Sequence, residues 1–137
     1  HRDYASGTIF LTGHAAKDEN FMDWNAIVKS KMTLVIYMGV KNAADISQNL
    51  LQNGINKDMP TAIIQHATLP FQKIYESTIK ELSREITKSK IKAPAIIIIG
   101  YVVSLKEKFK NYLQSPTYLH SIENPQFGEI PSNYKLK

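Results

Sequence analysis

The chain contains no cysteine. That absence excludes disulfides, thiolate nucleophiles and thiolate metal sites together, and it suits a reducing cytoplasm. Long apolar runs are missing too: none approaches the ~18 residues that a membrane-spanning helix needs, so no membrane crossing is expected. Histidine is sparse, and His1, His14, His66 and His120 show no HxH or HxxxH spacing. A metal centre is therefore not expected. Ser6, Ser77 and Ser104 lack the glycines of a nucleophile elbow, and no glycine-rich phosphate loop of either common spacing occurs. Hydrolase and nucleoside-triphosphate readings both fail on those grounds. Asp3, Asp18, Asp23, Asp45 and Asp58 form no pattern that separates a catalytic pair from surface charge.

What is present fits one globular domain: 137 residues, 43% of them hydrophobic and 21% charged. The net charge of +5 decides nothing alone. The lysines are spread along the chain, and "IKELSREITKSKIK" interleaves acids with bases as solvated helix faces do. No cluster of basic and aromatic residues appears, so nucleic acid is not an expected partner. The opening "HRDYASG" reads as the middle of a longer protein, without an initiator methionine or a basic-then-apolar leader.

Strand-like runs alternate with helical spacing. "GTIFLTGH", "TLVIYMG", "TAIIQHAT" and "APAIIIIGYVV" read as strands, and "LPFQKIYES" as a further short one. "MDWNAIVKS" reads as a short helix or turn set on Trp24. "NAADISQNLLQNG" predicts a helix capped by Asn42, with Ile46, Leu50 and Leu51 on one face and Gly54 as its stop. "TIKELSREITKSK" repeats Ile79, Leu82 and Ile86 at helical spacing, and "SLKEKFKNYL" predicts a short amphipathic helix capped by Ser104. Four consecutive isoleucines, Ile96 to Ile99, predict a strand buried on both faces. The fold class expected is α/β, a mixed sheet of about five strands with helices on both faces. From Gln114 the composition turns to proline, asparagine and serine without periodicity, which predicts a weakly ordered tail over 114–137 after a domain over 1–113.

Ligands of such sheets gather at the carboxyl ends of strands. Met38 with Gly39, then His66 to Thr68, then Gly100 all fall at such ends, and Gly39 lets the backbone turn sharply or a ligand come close. The residues alone lead no further than a half-domain that binds a small molecule.

Four blocks, "HRDYASGTIFLTGH", "TLVIYMG", "QHATLPFQK" and "PAIIIIGYVVSLKEK", in this order and at these separations, resemble the carboxyl-terminal half of uroporphyrinogen-III C-methyltransferases. These are the tetrapyrrole methylases of sirohaem and cobalamin synthesis, which use S-adenosylmethionine. The resemblance implies a second α/β domain whose amino-terminal partner, carrying a glycine-rich loop, is missing from this chain. It implies that Met38 lies beside the cofactor, that Ala67 faces the adenosyl group with Thr68 next to it, and that Pro94 and Ala95 border the same pocket. Relatives often have glycine at the place of Ala67, and Lys73 replaces an arginine of the family motif, keeping the charge without the bidentate clamp. Arg2 matches an arginine near the tetrapyrrole, where a guanidinium holds carboxylates by paired hydrogen bonds. The implied reaction moves methyl groups to C2 and C7 of uroporphyrinogen III to give precorrin-2, needs no metal, and is carried out by a cytoplasmic homodimer. This chain alone is expected to be inactive. A methylase of a later precorrin, or a binding module without catalysis, are the alternative readings.

Overall fold

In the computed structural model the described residues are 3–13 and 22–106. The chain divides into two compact units, His1–Ser104 and Leu105–Lys137. The first unit holds a five-stranded sheet built from β1 (Thr8–Thr12), β2 (Thr33–Tyr37), β3 (Pro60–Gln65), β4 (Lys73–Thr78) and β5 (Ala95–Ile99). Its helices are α1 (Trp24–Lys29), α2 (Ala43–Gln52) and α3 (Leu82–Lys88), the last preceded by a 3-10 turn at Ile79–Glu81. No helix among the described residues is long and apolar enough to cross a membrane.

The strands lie in the order β1-β2-β5-β3-β4. β1 and β2 are parallel, whereas β5 runs antiparallel to both of its neighbours, β2 and β3, and β4 antiparallel to β3. The mixed sheet of five strands is thus the expected one.

Its two faces differ. Leu34, Ile36, Ile63, Ile97 and Ile99 point into one core with Ile46 and Leu50 of α2 and with Ile79 and Leu82. Each such side chain stabilises the fold by roughly 1.5–3 kcal/mol on full burial. α2 packs against both α1 and α3, so the three helices share this face. The alternate residues form the other face, and one row across it reads Phe10, Val35, Ile98, Ala62 and Glu76. Among the described residues no α-helix covers that face, although helices were expected on both. Phe10 is accordingly 66% exposed, and Ile96 and Ile98 are half-buried where their unbroken apolar run predicts full burial.

The helix ends follow local chemistry. Asp23 caps α1 by accepting from the Ala26 N–H at 2.9 Å. At the end of α2 the Ile55 N–H reaches the Leu50 carbonyl and the Gly54 N–H reaches that of Leu51, a Schellman arrangement with Gly54 at φ 90. Lys90, at φ 51, closes α3 in the same way through the Ile91 N–H to Ile86 and its own N–H to Thr87. The strand reading of "GYVV" gives way to a 3-10 turn at Tyr101–Leu105, because Gly100 turns the chain at φ 149. The helix expected from Ser104 to Leu113 and the tail over 114–137 lie largely outside the described residues.

Candidate functional site

The register decides which residues meet. Tyr37 and Ile64 both pair with Ile96, and Gln65 pairs with Ala95. One step further, the His66 N–H donates to the Pro94 carbonyl at 3.1 Å. Because β5 runs against its neighbours, its first residues lie at the edge where β2 and β3 end. Met38, His66 to Thr68, and Pro94 with Ala95 therefore share one edge of the sheet, joined there by the end of β1 and the start of β4 at Lys73. This is the condition under which a strand's beginning can contribute to a site made of strand ends.

Met38 is 64% exposed and takes φ 53, a conformation that costs an L-residue roughly 1–2 kcal/mol. His66 and Thr68 share it, at φ 53 and 69. The loop after β3 is braced from within: the Thr68 N–H donates to Gln72 Oε1 at 2.8 Å, the Leu69 N–H to the His66 carbonyl at 3.1 Å, and the Phe71 ring meets that of His66 edge-on at 4.9 Å. Gln65 Nε2 ties the end of β3 to the Lys92 carbonyl at 2.9 Å, ahead of Pro94. Ala67 and Ala95 are half-buried, while Thr68 and Pro94 are exposed. The result is a preformed apolar rim, with Leu69 and Phe71 exposed beside Met38's edge. Arg2 lies outside the described residues.

Two features were not anticipated. Gly39 is buried, and a Cβ placed on it would come within 2.9 Å of Ile36 Cγ2 and 3.2 Å of Ile97 Cδ1. It is small because the core is full there, rather than to admit a ligand. Gly13 is tighter still, since its Cβ would lie 2.3 Å from the Gly39 Cα. Asn42, expected as a helix cap, makes no side-chain cap bond; its Nδ2 donates instead to the Gly13 carbonyl at 2.5 Å. The Gly13 N–H in turn donates to the Tyr37 carbonyl at 2.6 Å. The backbone on either side of Met38 is thereby locked to the end of β1. The repeated strand-then-glycine endings, "LTG" and "YMG", were the available signal for this clamp.

Residues 4–83 match the profile of the Tetrapyrrole (Corrin/Porphyrin) Methylases. The chain belongs to this family. It is 45% identical over 106 residues to a siroheme synthase of Zymomonas mobilis, covering 77% of this chain and 22% of that one. It is 40% identical over 112 residues to the siroheme synthase of Thiobacillus denitrificans, covering 82% and 23% respectively. The chain thus spans under a quarter of the length of these relatives. Among solved structures, the uroporphyrin-III C-methyl transferase of Thermus thermophilus complexed with S-adenosylhomocysteine superposes with a TM-score of 0.64 at 27% identity, over 75% of this chain and 43% of that one. A cobalt precorrin-4 methyltransferase shares the fold, with a TM-score of 0.67 at 20% identity, over 74% and 43%. Membership of the tetrapyrrole methylases makes methyl transfer dependent on S-adenosylmethionine the family's chemistry.

Proposed function

We propose that this chain supplies one wall of the cofactor cleft in a methyltransferase that converts uroporphyrinogen III to precorrin-2 by methylation at C2 and C7. The observation that carries the reading is the convergence of Met38, Ala67 with Thr68, and Pro94 with Ala95 on one edge through the reversal of β5. An exposed thioether and two half-buried alanines suit the flat face of a purine, which packs on a soft apolar surface. When bound, S-adenosylmethionine supplies an electrophilic methyl group. The chain's own residues contribute by holding the donor and by shielding that region from water, which is how positioning accelerates such a transfer. Arg2 is assigned to the substrate carboxylates. The opposite wall, the glycine-rich loop and most contacts to the acceptor belong to an amino-terminal domain, consistent with relatives several times longer. The assembled enzyme is a cytoplasmic homodimer on this reading. The identity to siroheme synthases favours uroporphyrinogen III over a later precorrin, since the precorrin-4 enzyme shares only the fold.

Titration of the 15N-labelled chain with S-adenosylhomocysteine tests the site. The amides of Met38, Ala67 and Ala95 are expected to shift at high ligand concentration and to stop shifting in Ala67→Val, which crowds the edge. Shifts confined elsewhere would remove the assignment of this edge to the cofactor. Labelled methyl transfer to uroporphyrinogen III is expected from the longer protein and not from this chain alone.

A further inference from the structure

The opposite edge of the sheet, where β2 and β3 begin and β5 ends, bears a cavity of about 600 Å³. That size falls within the roughly 300–1,000 Å³ of small-molecule sites. Its floor is apolar: Leu34 and Ile99 are buried, and Ile27, Val28, Ile55 and Met59 are half-buried. Both described glycines with positive φ, Gly54 and Gly100, line it, as does Lys31 at φ 54, so the backbone bends around the hollow. Lys29 and Lys31, both exposed, line it as well, together with Asn53, Asn56 and Tyr101. Among the described residues no aspartate or glutamate lines it.

Two opposing fields act there. α1 and α2 both end at this edge, and the carbonyl ends of helices disfavour anions. Two lysines within three residues favour them, but only where their side chains reach solvent. A bare inorganic anion gains little from such a place, because it has no use for the apolar floor. A molecule with a flat or chain-like apolar body and a single carboxylate satisfies both parts. We propose that this cavity is a second binding site, distinct from the Met38 edge, for an apolar monocarboxylate whose body lies on the floor and whose carboxylate meets Lys29 and Lys31. It does not depend on the methyltransferase reading.

The test uses the 15N-labelled chain with naphthalene-2-carboxylate, its neutral analogue 2-naphthylmethanol, and inorganic phosphate. The carboxylate is expected to shift the amides of Ile55, Met59 and Gly100 and to leave those of Met38 and Ala67 in place. The alcohol should bind roughly five-fold more weakly, as should the carboxylate to the double variant Lys29→Gln, Lys31→Gln, because an exposed ion pair contributes about that much. Both lysines are exposed, so the variant is expected to fold, which its unshifted core amides would verify. Equal binding of alcohol and carboxylate, unchanged binding to the double variant, competition by phosphate, or shifts at the Met38 edge alone would each overturn the proposal.

Discussion

Lys31 and Met38 stand at the two ends of β2 with almost the same backbone conformation, φ 54 and 53, for different reasons. Lys31 follows α1 as Gly54 follows α2 and Lys90 follows α3, so its left-handed turn closes a helix and is repaid by bonds to helical carbonyls, its own N–H reaching that of Val28 at 3.3 Å. Met38 follows a strand. No helix end accounts for it, or for His66 and Thr68 on the same edge. Left-handed backbone in residues other than glycine persists where the surroundings over-determine it, and it gathers at functional sites. One edge of the sheet is bent by helix chemistry, and the other by the clamp of Gly13, Gly39 and Asn42 around Met38 and by the braced loop that holds His66 and Thr68.

The largest expected effect breaks that clamp. Gly13→Ala drives a Cβ into the Gly39 backbone, which no side-chain adjustment can relieve, and should cost ~3 kcal/mol or more. Gly54→Ala at the opposite edge meets nothing within 4 Å and carries only the backbone penalty, about 1 kcal/mol. Urea denaturation of both checks the order, and equal losses would erase the distinction between a crowded glycine and a helix-closing one.

Asn42 sharpens the comparison with a smaller effect. If its side chain acted as a helix cap, Asn42→Asp would be harmless, because aspartate caps as well as asparagine does. Since its Nδ2 donates to the Gly13 carbonyl, an acceptor-only carboxylate should lose about 1 kcal/mol and bring two oxygens face to face. Unchanged stability of Asn42→Asp would return the residue to a capping role.

The smallest effect is the most diagnostic. Lys31→Gly and Met38→Gly both relieve left-handed backbone, and each should gain about 0.5 kcal/mol after glycine's own entropy cost. Thermal melts are expected to place the two variants together. Only Met38→Gly should then lose the amide shifts induced by S-adenosylhomocysteine. Retained shifts would mean that Met38's exposure serves something other than that ligand.

The residues by themselves were enough for the strands, for helices α2 and α3 and for Gly54 as a stop, because hydrophobic period and left-handed glycine are local properties. The family blocks were equally legible, since they are strings at fixed separations. Strand direction was not. Whether Pro94 and Ala95 reach Met38 depends on β5 inserting between β2 and β3 and running against both, a pairing among segments some 30 to 60 residues apart that no local pattern encodes. The true partner of Asn42 was hidden for the same reason, being 29 residues away on another strand's end. Four isoleucines in a row announced a buried strand, yet how far each was covered depended on where the helices packed, and α1, α2 and α3 all lie on the face of Ile97 and Ile99. Local sequence specified the pieces through short-range sterics and periodicity. Tertiary packing alone decided which ends met, because that choice minimises exposed apolar surface over the whole sheet rather than within any one segment.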